Sequence, residues 1–136
     1  MMQIENYLSF NGKCEEALDF YVQCLGGTVD VRRFEGTPMD DGKLPPGWKN
    51  KVLHATFDSE GARFMASDGM PGAPAPHYGG FSMSVYTDDK AKAQRIFDAL
   101  AAGGQVTMPF EPPFWGGTFG MLTDRFGVPW MVSCDR

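Results

Sequence analysis

Two histidines, three cysteines and a few strand-end carboxylates are the groups in this 136-residue sequence suited to acid, base or nucleophilic chemistry. His54 lies in VLHATF, where alternation places Val52, His54 and Thr56 on one face and Leu53, Ala55 and Phe57 on the other. The second face is the more apolar, which leaves His54 free to face a cavity. Imidazoles change charge near neutral pH, so this position suits a general base or a ligand hydrogen-bond donor. The competing reading is a hydrogen-bonded structural histidine. His77, in APAPHYGG, reads as a solvated surface residue, with Tyr78 beside it placed to cover a cavity mouth or a dimer seam. Asp68 and Asp124 follow Ser67 and Thr123 and read first as turn-capping carboxylates. Asp68 also has the reach to enter a cavity from the end of its strand.

Cys14, Cys24 and Cys134 are too scattered for a disulfide framework, and no CxxC occurs. They read as reduced, small buried side chains in a cytoplasmic protein. No G-x-S-x-G supports a Ser-His-Asp arrangement, and no local motif supports Cys-His. Gly116-Gly117 with Gly120 lacks the G-x-G-x-x-G spacing, so no dinucleotide- or adenosine-binding sheet is expected. Stacking is the other available chemistry. Phe110, Phe114, Trp115 and Phe119 form an aromatic cluster interrupted by Pro-Pro and Gly-Gly. Rigid aromatics on a loop edge suit a planar or apolar ligand, although ordinary core packing also accounts for them. Trp48, in Pro-Pro-Gly-Trp, is placed to close over the same cavity.

These side chains need elements to hold them. Ile4 to Phe10 alternates as a strand. Cys14, Ala17, Leu18, Tyr21 and Leu25 repeat at helical spacing, with Asn11 or Gly12 as the cap and Gly26-Gly27 as the stop. Thr28 to Phe34 is a second strand. Glu35 to Asn50 carries three Pro and three Gly, a length and composition typical of a binding loop or lid, or of a disordered surface loop. Lys51 to Phe57 and Ala62 to Ser67 form a hairpin around Asp58-Ser59-Glu60-Gly61. Gly69 to Gly80 is linker-like, with seven Gly or Pro among its residues. Phe81 to Tyr86 is a strand, Asp88 or Asp89 caps a helix with Ala93, Ile96, Phe97 and Leu100 on its apolar side, and Gly103-Gly104 ends it. Val106 to Met108 extends, Pro109 to Gly117 is irregular, and Thr118 to Thr123 with Val128 to Ser133 closes a last hairpin.

Hydrophobic residues at 43% and aromatics at 13% exclude intrinsic disorder. Twelve Lys and Arg against 17 Asp and Glu, a net charge of -5, argue against a nucleic-acid partner or an anionic membrane surface. No apolar run approaches the ~20 residues of a membrane span, and Met1 to Asn6 does not read as a secretory signal.

The two halves repeat. The helix ends superpose with a shift of 77, placing Phe20 on Phe97 and Gly26-Gly27 on Gly103-Gly104. The hairpins superpose with a shift of 66: Asp58 on Asp124, Gly61 on Gly127, Phe64 on Trp130, Met65 on Met131, Ser67 on Ser133. The expected fold is α+β, two βαβββ modules (about 1–68 and 81–136, linker 69–80). A four-stranded sheet with one helix leaves its other face bare, and two such sheets curl into half-barrels with a concave ligand site.

YLSFNGKCEEALDFYVQCLGG resembles the opening of the glyoxalase/bleomycin-resistance/extradiol-dioxygenase group, the vicinal oxygen chelate superfamily. KVLHATFDSEGARFMASD, FWGGTFGMLTDRFG and VPWMV resemble its PhnB-like, 3-demethylubiquinone methyltransferase-like branch. The resemblance implies paired βαβββ modules and a homodimer, and it fixes no single activity. It places the superfamily's metal ligands at Asn6, Met65, Ser82 (within one residue) and Met131, with Glu5 as the alternative to Asn6. Hard divalent metals want carboxylate or imidazole, so no metal and no cofactor are expected. The expected site has His54 in a catalytic role and Tyr7, Trp48, Asp68, Phe114, Trp115 and Phe119 as ligand-binding residues. The expected partner is a small-molecule ligand. A metal-free binding protein is one reading; a lyase, isomerase or dioxygenase-type enzyme using His54 or a displaced metal site is the other.

Overall fold

Period-two patterning in short segments, broken by glycine turns, builds two sheets of four strands, each covered on one side by a single helix. The computed structural model describes residues 1–135. The chain divides into two compact units, Met1–Pro76 and the part from His77 onward.

The first unit contains β1 (Tyr7–Ser9), α1 (Cys14–Leu25), β2 (Thr28–Arg33), β3 (Val52–Ser59) and β4 (Ala62–Ser67). Its sheet order is β1-β4-β3-β2, with β1 parallel to β4 and the other pairs antiparallel. The buried stripe of α1, Cys14, Ala17, Leu18, Phe20, Tyr21 and Cys24, covers one face of this sheet. Tyr21 meets Phe64 edge-on at 6.0 Å, and Phe64 stacks on Phe57 at 4.7 Å. Each such buried aromatic contributes about 1.5–3 kcal/mol relative to exposure.

Three expectations are corrected in this unit. Strand β1 is shorter than Ile4–Phe10. The helix is not capped by Asn11 or Gly12: its N-cap is Lys13, without a side-chain cap bond. Asp68, far along the chain, accepts the N–H groups of Gly12 and Cys14 instead, at 2.7 and 2.8 Å. Alternation along β3 also fails at its start. Arg33 pairs with Val52 and Arg32 with His54, so Leu53 is an extra residue in the ladder. That bulge turns Val52 onto the buried face with Ala55 and Phe57, and leaves His54 and Thr56 on the other.

The second unit contains β5 (Met83–Tyr86), α2 (Lys90–Ala101), β6 (Gln105–Glu111), β7 (Thr118–Thr123) and β8 (Pro129–Cys134), ordered β5-β8-β7-β6. Asp89 caps α2 by accepting the Lys92 N–H at 3.1 Å, as expected. Strand β5 begins later than Phe81. Strand β6 continues through Pro109, which is tolerated because β6 is an edge strand with irregular pairing. Phe110 consequently leaves the aromatic cluster and stacks on Phe97 at 5.4 Å.

The repeat is real, with one slip. Tyr7 stands beside Met65 as Ser84 stands beside Met131. On the third strands, however, Thr56 opposes Met65 while Met121 opposes Met131. The offset there is 65, so Asp58 matches Thr123 rather than Asp124. The second hairpin loop carries one residue more, and Asp124 braces it by accepting the N–H groups of Phe126 and Val128 and the Trp130 indole N–H. The equivalent glycines agree. A Cβ on Gly27 would meet the Asp58 carbonyl oxygen at 2.3 Å, and one on Gly104 would meet that of Thr123 at 2.2 Å.

Candidate functional site

The candidate residues fall into two groups, Tyr7, Trp48, His54 and Asp68 in the first unit and Phe114, Trp115 and Phe119 in the second. In the first sheet, cross-strand partners share a face. The face away from α1 therefore carries a row of Tyr7, Met65, Thr56 and Asp30, and beside it Ser9 with Ser67 and His54 with Arg32. Tyr7 reaches across β4 to His54. Its hydroxyl lies 2.9 Å from Nδ1, and the ring centroids are 5.6 Å apart. Tyr7 is 52% exposed. Partial burial holds its phenol above the ordinary pKa; the potential of Cys14 adds to this, and a hydrogen bond with Ser67 opposes it. Where the phenol donates to Nδ1, the imidazole proton sits on Nε2. Among the described residues His54 makes no other hydrogen bond.

Asp68 is 2% exposed and its oxygens are committed. Oδ1 accepts from Gly12 and Cys14, and Oδ2 accepts from Val52 at 2.8 Å. It ties the start of α1 to the start of β3. Trp48 opens a short 3-10 turn and sits edge-on to buried Phe34 at 5.5 Å. The 35–50 segment is held by turns and by Lys49–Asp40, and Arg33 anchors its base, bonding both Glu15 and the Asn50 carbonyl.

In the second unit the register is more apolar. Met108, Met121 and Met131 pair across β6, β7 and β8, with Ser84 completing the row. The next row is Glu111, Phe119, Ser133 and Tyr86. Buried Leu122, Trp130 and Val132 point to the opposite, helix-covered face. Trp115 meets Phe119 edge-on at 5.7 Å and Phe114 at 5.0 Å. Phe114 is 98% exposed and Trp115 61%. The loop turns on the Gly116 N–H bond to the Pro113 carbonyl, and a Cβ on Gly117 would strike the Cys134 carbonyl oxygen at 2.5 Å. Tyr86 donates to Asp135, and that hydrogen bond is the main cause of its raised phenol pKa. His77 is exposed. The methionine row and Arg32 were not anticipated from sequence, because only strand register reveals them.

Register shows what surrounds the positions the resemblance gave for metal ligands. Tyr7, not Asn6, stands beside Met65, and Ser84, not Ser82, stands beside Met131. Asn6 uses its carbonyl on the Met65 N–H, and Glu5 pairs with Arg63 at 4.0 Å. A set of thioethers, a phenol and a hydroxyl does not fit a hard divalent ion. Among the described residues no three His, Cys, Asp or Glu gather where they could hold a metal ion. No helix among them is long and apolar enough to cross a membrane.

Two βαβββ units with these sheets define an α+β fold of the glyoxalase/bleomycin-resistance type. A glyoxalase/bleomycin resistance protein from Albidiferax ferrireducens T118 shares this fold, with a TM-score of 0.62 at 17% identity over 98% of each chain. The model of the 3-demethylubiquinone-9 3-methyltransferase family matches residues 2–133, and the chain belongs to that family. It is 33% identical to Protein YjdN of Escherichia coli K12, over 97% of this chain and 95% of that one. Protein PA1353 from Pseudomonas aeruginosa is 47% identical with a TM-score of 0.84, covering 99% of this chain and 98% of that one. A PhnB protein from Bacillus cereus is 29% identical with a TM-score of 0.80, covering 98% and 99%.

Proposed function

We propose that the protein binds a small apolar or aromatic ligand on the face of the second sheet away from α2, without a metal ion at the superfamily's positions. The observation that carries this reading is the exposure of Phe114 and Trp115 beside Phe119, continuous with the Met108, Met121 and Met131 row. Exposing large apolar groups together costs solubility unless something uses them. Thioethers adapt to varied ligand shapes, and aromatic edges supply the stacking surface. The donor set described above supports the absence of a resident metal. Elemental analysis of native, untagged protein gives far less than one transition metal per chain; a near-stoichiometric metal contradicts this part.

With indole as a neutral planar probe, Trp115→Ala weakens binding by about 2 kcal/mol, the scale of an aromatic anchor. His77→Ala leaves binding unchanged. Equal effects of the two substitutions refute the assignment. The binding form is a cytoplasmic homodimer, supported by the exposed edge strand β6 and the three buried, reduced cysteines. Native mass spectrometry then finds twice 15.0 kDa, and a monomer at micromolar concentration contradicts it.

The Tyr7–His54 hydrogen bond favours a second reading, an enzyme in which His54 is the general base. There His54→Gln abolishes turnover with the fold and ligand binding intact. A variant that loses melting temperature instead identifies His54 as structural.

A further inference from the structure

The first sheet carries a site of different chemistry. From its cross-strand register we infer that Arg32 and His54, with Tyr7 holding the imidazole, form a carboxylate-binding site on the face away from α1. Three observations converge on it. Arg32 lies directly opposite His54 across β2 and β3, which puts the two side chains on one face about 5 Å apart at Cβ. Arg32 has no ion pair among the described residues, whereas Arg33 is bound to Glu15 and Arg63 to Glu5. The Tyr7 hydroxyl and His54 Nδ1 are joined at 2.9 Å, which leaves Nε2 as the ring nitrogen with no hydrogen bond among the described residues.

The Tyr–His pair suits an oxyanion in either protonation state. With neutral imidazole, Tyr7 donates to Nδ1 and Nε2–H is the donor left over. When the ring takes a proton from solvent, Nδ1–H donates to the phenol oxygen. The phenol lies on the Nδ1 side of the ring, away from Nε2–H, so an arriving anion meets Nε2–H and a new positive charge while Tyr7 holds the ring in place. Arg32 adds a planar fork matched to two carboxylate oxygens.

The other charged groups on this face set the ligand's charge. Asp30 lies two residues from Arg32 on the same face. Thr56 and Met65 separate it from Tyr7 in its row. Asp58 and the Glu5–Arg63 pair lie further along the strands. One arginine next to one aspartate favours a monoanion over a dianion, and so a carboxylate over phosphate. This inference stands on the first unit alone and does not rest on the aromatic surface of the second.

Acetate is the probe, because it has the carboxylate and almost no apolar surface. The test is a titration of the full-length protein with sodium acetate at constant ionic strength, read by ¹⁵N-imidazole NMR. The His54 ring nitrogens shift saturably at millimolar acetate. Arg32→Gln weakens the apparent affinity by about tenfold or more, the scale of a lost charge-assisted bond, and Tyr7→Phe by a few-fold. The same spectra verify that each variant is folded. Indole at the second unit is unaffected by Arg32→Gln, so the two readings fail separately. Absence of saturation, equal affinity in Arg32→Gln, or tighter binding of inorganic phosphate than of acetate overturns the assignment.

Discussion

Removing the Asp68 carboxylate leaves three backbone N–H groups without their acceptor, those of Gly12, Cys14 and Val52. The bonds to Cys14 and Val52 are buried, and the bond to Gly12 is partly so. A buried orphan donor costs about 1–3 kcal/mol, so Asp68→Ala should cost about 4 kcal/mol, with Gly12 rehydrated cheaply. That is a large share of the roughly 5–15 kcal/mol that holds a typical domain folded. With a urea slope of about 2 kcal/mol/M the midpoint falls by about 2 M. Asp68→Asn keeps an acceptor at one position only. It retains the Gly12 and Cys14 bonds, loses the Val52 bond, and costs about half as much. Equilibrium urea unfolding, followed by tryptophan fluorescence and far-ultraviolet circular dichroism, measures both. An Asp68→Ala protein within about 1 kcal/mol of the parent refutes the account of Asp68 as the brace between α1 and β3.

Glu15 is held below the usual carboxylate range, chiefly by its hydrogen bond with Arg33. The stability from that pair is complete above the unfolded glutamate pKa and is lost as pH falls through the lower folded value. Both side chains are largely exposed, so Glu15→Gln costs less than about 1 kcal/mol at pH 7, and its difference from the parent shrinks in acid unfolding titrations. All three cysteines are buried, and burial, with Asp68 and Glu15 adding to it, pushes the Cys14 thiol up. The native protein therefore does not react with a disulfide reagent such as DTNB, and three thiols react after denaturation. Gly27→Ala destabilises more than Gly116→Ala. Both glycines have positive φ, but only at Gly27 does the added Cβ strike backbone, which thermal melts of the two variants will separate.

Local pattern carried the helices and most strands. The α1 stripe of Cys14, Ala17, Leu18 and Tyr21, the Gly26-Gly27 stop and the Asp89 cap all depend on residues within a few positions of each other. Failures arose where the deciding partner is remote. Nothing within VLHATF announces that Leu53 is a bulge, because that follows from how Arg32 and Arg33 pair. Asp68 is recognisable as a capping residue, yet the helix it caps begins 54 residues earlier. Tyr7 and His54 meet only because β1 lies parallel to β4 while β4 and β3 form a hairpin. The methionine row required the one-residue slip between the two hairpins, which an ungapped repeat hides.

The claim that the face of the second sheet away from α2 is a ligand surface is tested most directly by methionine methyl NMR during an indole titration. Met108, Met121 and Met131 shift together, with one saturation curve, while Met1, Met2 and Met70 stay in place. Shifts spread evenly over all the methionines, or a stationary Met108–Met121–Met131 set with indole bound, contradict the account.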